Sequence, residues 1–147
     1  RSERQVEGIS RGDWYPSNFD KPHDLSILFN YQPNRRNTLT INFIYGTGRP
    51  TTPPVGNTKL ENGLVVPIYS QRNQLRIPDY HRLDLGATFV IKDNNKFYSD
   101  LNFSIYNIYN RKNAYSIDFG LDDQGNTQAT QLSLFGIVPS LTWNFEF

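Results

Sequence analysis

The sequence predicts an all-β fold, an antiparallel up-and-down meander of about five strands that form part of a transmembrane β-barrel. Three observations predict it. Apolar and polar residues alternate with period two in five separate stretches, the spacing that puts one set of side chains on each face of a strand. The connections between those stretches run short, long, short, long, as in barrels with short turns at one rim and long loops at the other. Aromatic residues make up 14% of the chain and gather near the strand ends, where a membrane barrel carries its interfacial girdles.

The first strand is expected over residues 23–32, with Leu25, Ile27, Phe29 and Tyr31 opposing Asp24, Ser26, Asn30 and Gln32, and Leu28 as the exception. The second, over 38–45, sets Leu39, Ile41, Phe43 and Tyr45 against Thr38, Thr40, Asn42 and the apolar Ile44. In the third, 82–92, Leu83, Leu85, Ala87, Phe89 and Ile91 oppose Arg82, Asp84, Gly86, Thr88, Val90 and Lys92. In the fourth, 97–106, Leu101, Phe103 and Ile105 oppose Asp100, Asn102, Ser104 and Tyr106. In the fifth, 140–147, Leu141, Trp143, Phe145 and Phe147 oppose Ser140, Thr142, Asn144 and Glu146. Residues 33–37 and 93–96 read as short polar turns. The segments from Gly46 to Pro78, rich in Gly and Pro, and from Asn107 to about Gln131 read as long loops. Within the second, the alternation of Tyr115, Ile117 and Phe119 before Asp122-Asp123-Gln124-Gly125-Asn126 predicts a hairpin that prolongs strands four and five. No helix of useful length is expected, since Pro67 and Pro78 bound the polar stretch 71–75.

Composition narrows the function. Net charge is +1, which gives no strong pull toward nucleic acid. With no Cys, disulfides, thiol chemistry and cysteine metal sites are excluded. The chain begins Arg1-Ser2-Glu3-Arg4 and has no Met, so it is read as part of a longer polypeptide, residues 1–147 being one barrel segment. Mean hydropathy is −0.61, which barrel strands tolerate because lumen-facing residues alternate with lipid-facing ones.

Periodicity alone fits a soluble antiparallel sandwich or small binding module as well as a membrane barrel. The loop-length asymmetry and the aromatic rims favour lipid. Tyr31, Phe97, Tyr98, Trp143, Phe145 and Phe147 would form the inner girdle, and Tyr45, Tyr106 and Tyr109 lie at the opposite ends. Five strands are too few to close a membrane barrel, and open edges in lipid leave N–H and C=O groups unpaired. Further strands must come from upstream sequence or from partner chains.

Gly12-Asp13-Trp14-Tyr15-Pro16 with Phe19-Asp20-Lys21-Pro22-His23-Asp24-Leu25 is similar to a strand entry in TonB-dependent receptors of Bacteroidota-type bacteria, and further segments resemble the same family. Tyr45-Gly46-Thr47-Gly48-Arg49-Pro50 resembles the start of an external loop, and Arg76-Ile77-Pro78-Asp79-Tyr80-His81-Arg82-Leu83-Asp84 the re-entry. Ser104-Ile105-Tyr106-Asn107-Ile108-Tyr109-Asn110-Arg111-Lys112-Asn113 resembles the penultimate strand and its exit. Pro139-Ser140-Leu141-Thr142-Trp143-Asn144-Phe145-Glu146-Phe147 resembles the closing strand. The resemblance implies a plugged barrel of 22 strands in the outer membrane of a Gram-negative bacterium, taking up a scarce solute with energy delivered through TonB. Siderophore, oligosaccharide and peptide all stay open. It implies as partners the outer-membrane lipid, the upstream strands and plug, the TonB system, the barrel-assembly machinery and a surface lipoprotein. A role as client or subunit of a larger outer-membrane assembly is a further alternative.

The residues are assigned accordingly. Leu85, Phe89, Leu101, Phe103, Ile105 and Leu141 are expected to face lipid. Trp143, Phe145 and Phe147 match the aromatic assembly signal of such proteins, and a strand with a free edge can add to another sheet. Asp84, Asp100, Asn102, Ser104 and Asn144 would line the lumen, where ordinary solvation explains them as well as contact with a plug or solute. Solute-contact candidates are Trp14, Tyr15, Arg49, Tyr69 and Arg72, in loops, which carry recognition. No catalytic role and no cofactor are expected. The two histidines, His23 and His81, each lie within two residues of an aspartate, Asp24 and Asp79. Such a pair can ligate metal or orient a base, but a hydrogen bond fixing the strand entry is the ordinary reading. Gly46-Thr47-Gly48 lacks the Lys-Ser/Thr and helix of a phosphate loop and reads as a turn of unusual φ. Asp122-Asp123 suits a hairpin tip better than Ca²⁺.

Overall fold

The structure is a computed structural model that describes residues 1–122 and 125–147. It is all-β and antiparallel, and the helical content of the described residues is one three-residue 3₁₀ turn, Ser10–Gly12. The chain divides into two compact units. One comprises Arg1–His23, Gly46–Asp79 and Ala114–Leu134, the other Asp24–Tyr45, Tyr80–Asn113 and Phe135–Phe147.

The second unit is a five-stranded sheet of β1 (Asp24–Asn34), β2 (Asn37–Gly46), β3 (Tyr80–Asn94), β4 (Phe97–Tyr106) and β5 (Val138–Glu146). Its order is β5-β4-β3-β2-β1, so every strand lies beside its neighbour in sequence. This is the expected meander, open, with β1 and β5 as its edges. Pro33 and Pro139 both fall in these edge strands, where a missing N–H does least harm to the ladder. Strand five starts earlier than the alternation suggested, and Phe147 lies just outside it.

Both short turns are tighter than expected because pairing continues up to an asparagine. Asn34 Oδ1 accepts the N–H groups of Arg36 and Asn37, each at 2.9 Å. Asn94 Oδ1 accepts those of Lys96 and Phe97, at 3.0 and 2.9 Å. The same side-chain acceptor thus closes both hairpins, the local bonding for which Asn is favoured in turns.

One residue breaks the alternation of β3. Val90 pairs with Asp100 but Lys92 with Ser99, leaving Ile91 as the extra residue of a β-bulge. The slip moves Lys92 off the polar face where strict alternation put it. It now shares a row with Ser99 and Phe145, and its ammonium lies 5.4 Å from the centre of the Phe97 ring.

The first unit contains two hairpins, Pro54–Lys59 with Val65–Tyr69 and Ser116–Leu121 with Thr127–Leu132. Asn57 Nδ2 donates to the Gly125 carbonyl at 2.9 Å, joining them. The hairpin at 116–132 was legible in the sequence, yet it is a two-stranded sheet of its own, not a prolongation of β4 and β5. The segment read as a long loop holds the other hairpin and the short pair Pro50–Thr51 with Leu75–Arg76. Prolines and glycines there hide the alternation. Asp122 accepts the N–H groups of Gly125 and Asn126, as a hairpin tip requires; Asp123 lies outside the described residues.

Polar tethers hold this unit. Asp20, 1% exposed, is ion-paired with Arg76 and accepts the Ser2 N–H. Arg76 also donates to the carbonyls of Asp20 and Gly48, at 2.9 and 3.0 Å. Asn73, buried and left-handed at φ 58°, donates to Pro16 O and Asn18 Oδ1, both at 2.7 Å. The Arg76 hydrogen bond, then that of Ser2, holds the Asp20 carboxyl below its ordinary value, against the opposing effect of burial. A folded-state pKa below the unfolded one stabilises the folded form above the unfolded value, and this stabilisation is lost as pH falls through the folded one. The first unit is therefore expected to loosen below about pH 4, and Asp20→Asn to flatten that dependence. Amide exchange of Asn73 against pH reads it; an unchanged profile in the variant would count against the tether.

Candidate functional site

The two faces of the sheet differ sharply. Register places Leu85 beside Ile105, Ala87 beside Phe103 and Leu141, and Phe89 beside Leu101 and Trp143. All six residues assigned to lipid therefore share one face. None is buried: Phe89 is 44% exposed, Phe103 43% and Leu141 66%. Conversely, the buried residues of this unit are Ser99, Asp100 and Asn107, all polar. The apolar side chains of this face are thus partly to largely exposed, while the buried ones of the unit are polar.

On the opposite face polar side chains bond to one another across the strands. Thr40 Oγ1 donates to Asn30 at 2.8 Å, Asn42 to Asp84 at 3.2 Å, Asn102 to Thr88 at 2.7 Å and Asn144 to Asp100 at 3.0 Å. Arg82 pairs with Asp84 at 2.9 Å and lies 4.0 Å from the centre of the Tyr106 ring. Ser104 lies opposite Ser140. All five residues assigned to the lumen thus sit on this face.

An aromatic cluster borders the apolar face near the short turns. Trp143–Phe145, Phe145–Phe147 and Phe97–Phe147 have ring centroids 5.6, 5.7 and 5.4 Å apart. Trp143 Nε1–H donates to the buried Ser99 Oγ at 2.7 Å, so the indole presents its ring outward while its polar atom is satisfied. Ser99 was not singled out in the sequence; the Ile91 bulge is what aligns its row with Lys92. Tyr98 does not join this girdle: it pairs with Asp93 and Glu146 on the polar side.

At the long-loop end asparagines shape the exit of β4. Asn107, 1% exposed with φ 54°, donates its N–H to Asp84 at 2.9 Å and its side-chain amide to Arg111 O at 2.9 Å. Asn110, φ 55°, accepts the Ile137 N–H at 3.0 Å. Both adopt the left-handed conformation that Asn tolerates better than other side-chain-bearing residues. The two histidines mark strand entries. His23 exchanges backbone and side-chain bonds with Thr47. His81 Nδ1 lies 2.8 Å from the Tyr109 hydroxyl, and Asn113 brackets its backbone. Burial pushes the Tyr109 phenol up, which keeps it protonated. Asp79 meets the Gly48 N–H at 2.9 Å. Gly48 itself is no turn of unusual φ: a Cβ there would lie 1.7 Å from Ile77 O, so close backbone approach explains the glycine.

The solute-contact candidates separate. Trp14 is 65% exposed, while Tyr15, at 7%, is packed inside the first unit, which weighs against a contact role. Arg49 reaches the Tyr115 carbonyl at 3.5 Å. Tyr69 and Arg72 come together in one cleft of about 660 Å³, with Ser10, Arg11, Thr52 and Gln71. Ser10 and Arg11 were missed in the sequence, since nothing in their spacing links them to residues 69–72.

Comparison with protein-family models, curated proteins and solved structures finds no match.

Proposed function

We propose that this chain is the C-terminal wall of a TonB-dependent transporter barrel in the outer membrane of a Gram-negative bacterium. The uncovered apolar face of the sheet carries the reading. A soluble module would cover such a face, whereas Phe89, Phe103, Leu141 and Trp143 are exposed. The opposite face, a ladder of mutually bonded polar side chains, suits a hydrated lumen. Strands of 9 to 15 residues exceed or match the 9–11 or so that span a bilayer. No helix among the described residues is long and apolar enough to cross a membrane, which says nothing of a barrel.

On this reading Leu85, Phe89, Leu101, Phe103, Ile105 and Leu141 touch acyl chains. Trp143, Phe145 and Phe147 sit at the inner interface, where the assembly machinery reads them. The free edges of β1 and β5 are paired by upstream strands of the barrel. The segments that form the first unit are the external loops, and the solute enters through them. Fractionation tests this. The full polypeptide is expected in the outer-membrane pellet and monodisperse only in detergent. Monodispersity in plain buffer would overturn the proposal.

A further inference from the structure

We propose that the cleft lined by Arg11, Arg72, Ser10 and Tyr69 binds a small solute bearing an oxyanion, a carboxylate or sulfate carried on a ring. Two cations line one concavity, and no carboxylate lines it with them. Neither guanidinium has an ion pair among the described residues. By contrast, Arg76 is paired with Asp20 and Arg82 with Asp84. Both arginines line the same cleft without a carboxylate partner, so an oxyanion bound there would meet two positive charges. The planar fork of each suits a carboxylate or sulfate.

Four further features of the cleft point to a ligand. Ser10 Oγ is buried with no hydrogen-bond partner among the described residues, an uncommon state for a buried hydroxyl. Its residue lines the cleft, so the unused hydroxyl lies in the cleft wall. Ser10 and Arg11 both hold left-handed backbones, φ 51° and 59°, a costly conformation that concentrates at ligand sites. Tyr69 is 60% exposed and offers a ring face on which a sugar or aromatic ring stacks. The volume, about 660 Å³, lies in the range of small-molecule sites.

As a statement about transport this rests on the barrel reading, because Tyr69 and Arg72 are then external-loop residues. As a binding site it does not. The test is calorimetric titration of the full polypeptide in detergent with D-glucuronate, D-glucose as the uncharged match, and sodium sulfate as the bare oxyanion. Glucuronate should saturate and glucose should not. Arg11→Gln and Arg72→Gln should each weaken glucuronate by about tenfold or more, the scale of one charge-assisted hydrogen bond, while Arg35→Gln in the β1–β2 turn should leave it unchanged. Arg72 is exposed, so its replacement leaves folding intact, checked by amide protection at Asn73. Sulfate competing with glucuronate would show that the oxyanion suffices. Sulfate failing while glucuronate binds would show that the ring on Tyr69 is also required, and either result supports the site. Equal binding by both glutamine variants and the parent, equal binding of glucose, or no binding of either anion at a concentration that saturates a Kd of about 1 mM would overturn it. A polypeptide that binds glucuronate yet needs no detergent would keep this site and lose the transporter. One that needs detergent and binds no anion would do the reverse.

Discussion

On the proposed barrel reading, Phe103→Arg is expected to block assembly of the sheet into a bilayer, while Asn102→Arg is tolerated. The two residues are adjacent in β4 and therefore point to opposite faces. Phe103 sits between Ala87 and Leu141, in the middle of the apolar face. A guanidinium there has no polar partner, and at mid-depth in lipid it costs about 2–4 kcal/mol. Asn102 lies on the polar face and donates to Thr88 at 2.7 Å. Its replacement loses that bond, about 1 kcal/mol, but the new charge meets water. The folded fraction in lipid vesicles, read by heat-modifiable gel migration, separates the two. Equal tolerance, or the reverse order, would mean that the faces are exchanged.

Gly48→Ala is expected to destabilise the first unit by about 3 kcal/mol, the upper part of the range for forced overpacking. The added carbon would fall 1.7 Å from Ile77 O and 2.7 Å from its carbonyl carbon. Both are backbone atoms, so no rotamer change relieves the clash. The segments must part, and the bonds from Gly48 N–H to Asp79 and from Ile77 N–H to Arg49 O lengthen. Amide exchange at Gly48 and Ile77 should accelerate roughly a hundredfold. Gly46→Ala is the control, because nothing lies within 4 Å of its added carbon. If the two variants exchange alike, the close approach at Gly48 is not what the fold needs.

The sheet was legible because its information is local. Alternation of Leu101, Phe103 and Ile105 with Asn102 and Ser104 needs no knowledge of other strands, and a polar turn between two such runs makes a hairpin. Misreadings arose where geometry depends on a partner. One extra residue, Ile91, turns Lys92 to the other face, and only pairing with β4 reveals it. Gly48 looks like turn chemistry until Ile77 is placed beside it. Tyr15 looks like a loop aromatic until the first unit closes around it. The cleft is the extreme case. Tyr69 and Arg72 were candidates by residue type, but Ser10 and Arg11 reach them only through tertiary contacts, and no period or spacing encodes that.

The shared asparagine turns have a kinetic meaning. Each hairpin, β1–β2 and β3–β4, is closed by a side chain at the turn itself, so its loop-closure entropy is nearly minimal. Such pairs form in about 1–10 μs. Joining β2 to β3, or β4 to β5, first requires the intervening long segment to be brought to close quarters, a slower step governed by sequence separation. The sheet is therefore assembled from two prefabricated pairs, β1–β2 and β3–β4, and the slower joins are β2 to β3 and β4 to β5.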